Sequence, residues 1–169
     1  MTLPRFAPIR QAVTTERIED VPGHVRTELL RTGLSARILP GQHIAVGVGS
    51  RGISCIADVA TTVVRELKRL GAEPFLVPAM GSHGGGTADG QRRVLEAYGL
   101  GPERLGAPIR SNMDVVDVGV TPGGMPVWFD ANAAGADGVI VINRVKPHTA
   151  FRGRWESGLF KMLAVGLGK

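Results

Sequence analysis

The chain has 169 residues, 43% of them hydrophobic and 21% charged, which excludes wholesale disorder. The excess of 20 lysines and arginines over 15 aspartates and glutamates gives a formal net charge of +5. This charge is compatible with a basic surface or with the binding of small anions or nucleic acid. Apolar runs are too short for a membrane-spanning helix or a signal peptide, and the single cysteine, Cys55, excludes an internal disulfide and favours the reducing cytoplasm.

Short β-branched runs alternate with amphipathic stretches along the chain, a pattern that predicts an α/β fold. The predicted elements, in chain order, are an edge strand at Phe6–Val13, helix Val21–Arg31, strand His43–Gly49, helix Ile53–Leu70, strand Glu73–Pro78, helix Thr87–Tyr98, strand Asp114–Val120, a turn at Pro122–Gly124 that starts a local hairpin, and strand Gly138–Asn143. Their order favours right-handed crossovers and an open, mostly parallel sheet with helices on both faces, a Rossmann-like three-layer arrangement. Residues 1–169 are predicted to form one domain, and the apolar segment up to Lys169 predicts continuation into a C-terminal domain.

Ligands of open α/β sheets bind beyond the carboxyl ends of the strands, where this sequence carries four unusual segments. The first, Gly49–Gly52 (GSRG), follows the first long strand. A glycine turn before a helix presents backbone N–H groups to an anion, and Arg51 adds a planar fork for a carboxylate or phosphate. The alternative is an ordinary glycine turn with a solvated arginine.

The second segment, Gly81–Thr87 (GSHGGGT), follows the next strand and opens a helix, with Thr87 as the predicted N-cap. Three consecutive glycines add no packing, so the backbone itself should be required there. The segment is neither a P-loop nor a dinucleotide-binding fingerprint. His83 stands among small residues and could exchange a proton near neutral pH. A merely flexible loop is the alternative.

The third and fourth segments follow the most apolar strand. Residues 143–149 (NRVKPHT) bring Arg144, Lys146 and His148 to the point where the chain leaves the sheet. Farther on, Lys161 is the only cation between residues 159 and 165. If that stretch is a packed helix, the ammonium must extend to solvent, pair with Glu156, or lose its proton and become a nucleophilic amine.

Taken in order, these segments resemble the N-terminal domain of the nickel-pincer-dependent lactate racemase family. The motifs that carry the resemblance are GSRG at 49–52, GSHGGGT at 81–87, and NRVKPHTAFRG at 143–153 followed by a lysine, and they lie within residues 43–169. The family consists of two-domain α/β enzymes that racemise or epimerise 2-hydroxy acids. They use a nickel-bound pyridinium dithio mononucleotide that is tethered through a thioamide to a lysine.

The resemblance implies roles for four residues. Lys161 would carry the cofactor covalently, His83 and His148 would be the two catalytic histidines, and Arg51 would hold the substrate carboxylate. Each histidine would take the hydroxyl proton of one enantiomer while a hydride passes to the pyridinium, and the planar 2-keto acid would receive the hydride on its other face. The sequence departs from the family at Val48, where an aspartate is usual, and in a longer spacing from His148 to Lys161.

The resemblance also implies that this chain is inactive alone. The family's nickel-ligating histidine lies beyond the lysine, and no histidine follows His148 here. A C-terminal domain of the same protein would therefore be the partner that completes the site. No metal ligand is expected within the chain itself, and the substrate would be a small 2-hydroxy acid.

Two functions remain open on the residues. One is the N-terminal domain of a 2-hydroxy-acid racemase or epimerase. The other is a non-catalytic α/β module that binds a phosphorylated metabolite or nucleotide at its glycine-rich loops. A nucleic-acid role has only charge in its favour, and an aromatic content of 5% is low for a base-stacking surface. The racemase hypothesis requires both imidazoles and the lysine amine to gather at one edge of the fold.

Overall fold

Three parallel strands form the centre of the computed structural model, which describes residues 7–12, 16–50, 52–148, 150 and 152–169. β1 (His43–Val48) lies between β2 (Glu73–Pro78) and β5 (Gly138–Ile142), and both neighbours run parallel to it. A parallel bridge between Leu76 and Ile109 extends the sheet beyond β2. The predicted open, mostly parallel sheet is therefore confirmed.

The helices surround this sheet. They are α1 (Val21–Arg31), α2 (Ile56–Arg69), α3 (Ala88–Ala97), α4 (Pro102–Leu105), α5 (Ala131–Ala134) and α6 (Leu159–Lys161), which continues into a π-helical segment at Met162–Leu167, together with short 3₁₀ turns at Leu34–Ala36 and His83–Gly86. Among the described residues, no helix is both long enough and apolar enough to cross a membrane.

The two faces of the sheet are covered by different elements because successive side chains of a strand point to opposite faces. On one face, Ile44, Val46 and Val48 of β1 pack with the apolar stripe of α2. On the opposite face, the core contains the side chains of Ala45, Phe75, Val77, Ala79, Ala133, Met162 and Leu167. The second group includes residues of α5 and of the π-helical segment. Helical cover on both faces, as predicted, follows from this alternation.

Local signals placed the ends of the helices well. Thr87 caps α3, where its hydroxyl accepts a hydrogen bond from the N–H of Gly90 at 3.1 Å. Gly71 follows α2 with a φ of +87°, a conformation that glycine adopts without the strain of a side chain. The predicted helix from Ile53 instead begins at Ile56. Thr87 starts α3 at the carboxyl edge of the sheet, and Gly71 turns the chain at the opposite edge, just before β2.

One strand does not join the sheet as predicted. β3 (Val115–Val120) pairs only with β4 (Pro126–Asp130), in a separate antiparallel hairpin. The predicted turn is present, with Gly124 donating to the carbonyl of Thr121 at 2.9 Å, and so short a connection can return a strand only antiparallel. Placing this strand in the parallel sheet was therefore wrong, although the predicted hairpin is confirmed.

The predicted edge strand at the N-terminus is also absent where it can be checked. Residues 7–12 have no strand, while Phe6 and Val13 lie outside the described residues.

Candidate functional site

A hollow of about 180 Å³, here called the central hollow, opens at the carboxyl edge of the sheet. The loops after β1, β2 and β5 form its walls together with α6. Its polar lining side chains are Ser50, Ser82, His83, Asn143, Arg144, Ser157 and Lys161. Three separate strand ends thus contribute to one depression, as the placement of the sequence motifs predicts.

The glycine-rich segment that carries His83 is packed against α3. A Cβ on Gly84 would lie 2.5 Å from the carbonyl carbon of Gly90, and the φ of Gly84 is +65°. The side chain of Gln91, which is buried, donates to the carbonyl of Gly81 at 2.7 Å. The loop therefore needs glycine for a close approach of two backbones, and this packing argues against a merely flexible loop.

Close packing also holds His83 in place. The hydroxyl of Thr87 donates to the carbonyl of Gly84 at 3.2 Å, within the same turn that begins at His83. His83 lines the central hollow from the β2 side.

The segment after β5 is fastened to the turn that precedes α6. The N–H of Lys146 donates to the hydroxyl of Ser157 at 3.0 Å, and the N–H of His148 donates to the carboxylate of Glu156 at 2.8 Å. The second oxygen of Glu156 accepts from the N–H of Gly153 at 2.9 Å. Glu156 thereby joins two loops, and its carboxylate is occupied in holding His148 near α6.

The same hydrogen bonds perturb the Glu156 carboxyl. The N–H groups of Gly153 and then His148 lower the pKa of Glu156 below its ordinary value of 4.5, because both bonds favour the charged carboxylate. Arg152 acts in the same direction, with its guanidinium 3.5 Å from the carboxylate. Glu156 thus remains an anion that organises the loop.

The ring of His148 makes a hydrogen bond within its own loop. Its Nδ1 accepts a hydrogen bond from the N–H of Ala150 at 3.1 Å. A neutral imidazole that accepts at Nδ1 carries its proton on Nε2. This contact orients the ring at the edge of the side hollow.

Lys161 is exposed and belongs to two adjoining hollows. The smaller, here called the side hollow, is about 40 Å³ and is lined by Arg144, Lys146, Pro147, His148, Glu156, Ser157 and Lys161. Glu156 forms its ion pair with Arg152 and not with Lys161. Of the three alternatives for this lysine, extension to solvent fits the structure, because the helical segment packs on the core by one side and leaves Lys161 on the other.

The predicted site residues come together around a shared wall. Arg144, Ser157 and Lys161 line both hollows, with His83 in the central hollow and His148 in the side hollow. Arg51 lies outside the described residues. The two imidazoles and the amine are therefore on the same edge of the fold.

Arg144 lies at the centre of the site, although the sequence analysis assigned it no binding role. It lines the central and side hollows and a third depression beside Gly52 and Ser54. Its signal was its place as the first cation after the most apolar strand, but a position in sequence does not show how many loops surround a side chain.

The central hollow is electrostatically suited to an anion. Its described lining includes the cations Arg144 and Lys161 and no aspartate or glutamate. The one carboxylate of the side hollow, Glu156, is already engaged by Arg152 and backbone N–H groups. A guanidinium and an ammonium without a local carboxylate between them favour a carboxylate or phosphate ligand.

No protein-family model matches the chain, and no curated protein matches it. The resemblance to the lactate racemase family therefore stays a prediction that rests on the motifs and their arrangement.

Proposed function

We propose that this chain is the N-terminal domain of an isomerase that racemises or epimerises a small 2-hydroxy acid. The observation that carries the proposal is the shared wall formed by Arg144, Ser157 and Lys161, with His83 in one adjoining hollow and His148 in the other. Racemisation of a 2-hydroxy acid by hydride transfer requires that the hydroxyl proton of either enantiomer can be removed and returned. Two imidazoles beside one anion-binding wall supply groups for that exchange.

Arg144 is the described residue best suited to hold the substrate carboxylate. Its planar guanidinium can bind a carboxylate through two parallel hydrogen bonds, and it lines the hollow that contains His83. By the family resemblance, Arg51 would share this task. A carboxylate fixed at this wall would place the neighbouring hydroxyl within the space that the histidines border.

The two histidines would share the proton exchange. His83 borders the central hollow and His148 borders the side hollow, so the imidazoles lie beside the wall formed by Arg144, Ser157 and Lys161. For one enantiomer, one histidine would take the hydroxyl proton and the other would give a proton to the oxygen of the product; for the other enantiomer these roles exchange.

Lys161 fits the attachment point for the nickel-pincer pyridinium cofactor. Its side chain is exposed, borders both hollows and is not paired with Glu156. When bound, this group supplies a reversible acceptor for a hydride. By the family resemblance, the nickel ligand belongs to the C-terminal domain, so Lys161 is assigned attachment only.

The test is enantiomer interconversion by the full gene product, produced together with enzymes that make the cofactor. Chiral chromatography of 2-hydroxy acids should show interconversion in the wild type, loss in Lys161→Ala, and retention in Lys68→Arg, a lysine control on α2. Undiminished turnover in Lys161→Ala would reject the role of Lys161.

A second function is favoured by the absence of carboxylates from the described lining of the central hollow. Such a lining also suits a phosphate, so the chain could serve as a non-catalytic module that binds a phosphorylated metabolite or nucleotide. Calorimetry with a nucleoside monophosphate and with a 2-hydroxy acid separates the two. Binding of the nucleotide alone, without turnover by the full gene product, would favour the module.

A further inference from the structure

A third hollow, here called the apolar hollow, lies between the β3–β4 hairpin and the π-helical segment. It has a volume of about 780 Å³, within the roughly 300–1,000 Å³ of small-molecule sites. Its apolar lining side chains are Met113, Met125, Pro126, Val127, Trp128, Phe129, Leu163, Ala164 and Val165. Several of them are large and uncovered, Met125 being 67% and Trp128 42% exposed.

The apolar hollow adjoins the central hollow. Ser82 and Val165 line both, so the two depressions share a wall immediately beside His83. A ligand whose anionic group lies near Arg144 would reach the apolar hollow by passing Ser82 and Val165. The central hollow has a volume of only about 180 Å³, so a longer substituent would need the adjoining apolar hollow.

Lys169, the one cation in the described lining of the apolar hollow, is paired with a carboxylate of the protein. The ammonium of Lys169 is 2.5 Å from the carboxylate of Asp130, and it donates to the carbonyl of Asn112 at 2.7 Å. The two side chains are 6% and 1% exposed. Because the charge is already paired and buried, the hollow presents an apolar surface to a ligand and gives no second site for an anion.

We infer that the substrate is a 2-hydroxy acid with an apolar substituent of several carbons, whose tail occupies the apolar hollow. This inference rests on the proposed function for the identity of the acidic head. The tail is argued independently, from the shared wall, the volume and the apolar lining. Each added methylene removed from water should tighten binding roughly fourfold until the tail reaches the end of the hollow.

The test uses equilibrium binding by this chain, without cofactor or turnover. Calorimetry with 2-hydroxypropanoate, 2-hydroxyhexanoate and 2-hydroxyoctanoate should show a steady rise in affinity with chain length. In a Trp155→Phe background, the emission of Trp128 should shift to the blue with the longer acids only, because Trp128 lines the apolar hollow.

A matched pair of variants on the hairpin locates the tail. Val127→Gln places an amide in the lining and should weaken 2-hydroxyoctanoate binding by about five- to tenfold, while 2-hydroxypropanoate binding changes less than about twofold. Val118→Gln, on the facing strand and outside the lining, should leave both affinities unchanged. A circular dichroism spectrum equal to that of the wild type shows that each variant is folded.

The outcomes separate the two proposals. Equal affinity for all three acids would overturn the inference about the tail while leaving the racemase proposal intact. Tight, length-dependent binding without interconversion by the full gene product would support the tail site and reject the racemase. A dimer that dissociates on Val127→Gln would assign the apolar hollow to a second copy of the chain and overturn the inference.

Discussion

Replacing Gly90 by alanine tests whether the loop that carries His83 is packed on α3. Gly90 is in the first turn of α3 with an ordinary helical backbone, so helix propensity alone would make alanine more stable by about 1 kcal/mol. A Cβ at this position, however, would overlap the carbonyl oxygen of Gly84. Forcing an extra carbon into a packed contact costs about 1–3 kcal/mol, and a contact with rigid backbone belongs to the upper part of that range, about 2–3 kcal/mol. After the gain in helix propensity is subtracted, the net effect should be a destabilisation of about 1–2 kcal/mol.

Whether Gly90→Ala stabilises or destabilises the protein shows whether helix propensity or the contact with Gly84 dominates. In thermal unfolding, Gly90→Ala should lower the Tm by about 3–6 °C, at roughly 3 °C per kcal/mol for a chain of this size. Urea denaturation should show a lower midpoint concentration. Two companion variants calibrate the contact. Gly84→Ala meets the α3 backbone and should cost about 3 kcal/mol, whereas Gly85→Ala has no atom within 4 Å and should cost only the roughly 1 kcal/mol of a positive φ. A Gly90→Ala protein that is more stable than the wild type would refute the packed loop.

Three further predictions concern groups that support the site. Because the folded-state pKa of Glu156 is depressed, its carboxylate should stabilise the fold above pH 4.5 and lose that contribution as the pH falls through the folded-state pKa. The urea midpoint of Glu156→Gln should therefore change less with pH in this acidic range than the midpoint of the wild type. Asp130→Asn keeps the cap on α5 but leaves the buried Lys169 ammonium unpaired, and it should cost about 3–5 kcal/mol in denaturant unfolding, with a smaller loss when Lys169→Met is added. Thr87→Ala should destabilise by about 1 kcal/mol and Thr87→Ser by much less, and equal losses would argue against the cap on α3.

Much of the fold followed from local patterns in the sequence. The apolar stripe of α2 repeats about every 3.6 residues, and β1, β2 and β5 are short apolar runs. Both signals depend only on near neighbours along the chain. Caps such as Thr87 and stops such as Gly71 are likewise local. The elements and most of their ends were therefore predictable.

The pairing of the strands was harder to predict from the sequence. β3 has the composition of a strand, but its partner is decided by the short turn that follows, which the sequence marked without showing that it displaces β3 from the parallel sheet. The same limit applies to α6. Leu159 and Phe160 suggest a packed helix, yet they are 61% and 54% exposed, because only one side of the segment reaches the core. Burial of Lys161 could not be judged from apolar neighbours alone.

The residues of the candidate site could be predicted from the sequence, but the way the hollows adjoin one another could not. His83, His148 and Lys161 were each marked by an unusual local setting, and the edge of a parallel sheet explains why they meet. The role of Arg144 as a shared wall and the continuity with the apolar hollow depend on how separate loops approach in space. Neither leaves a periodic signal in the sequence.

The most direct measurement of the central claim is an intact-mass spectrum of the full gene product, co-produced with the enzymes that make the cofactor and followed by peptide mapping. We expect an added mass on the peptide that contains Lys161, absent from Lys161→Arg and present in Lys68→Arg. A modification mapped to a different lysine, or an unmodified protein that still interconverts the enantiomers, would contradict it.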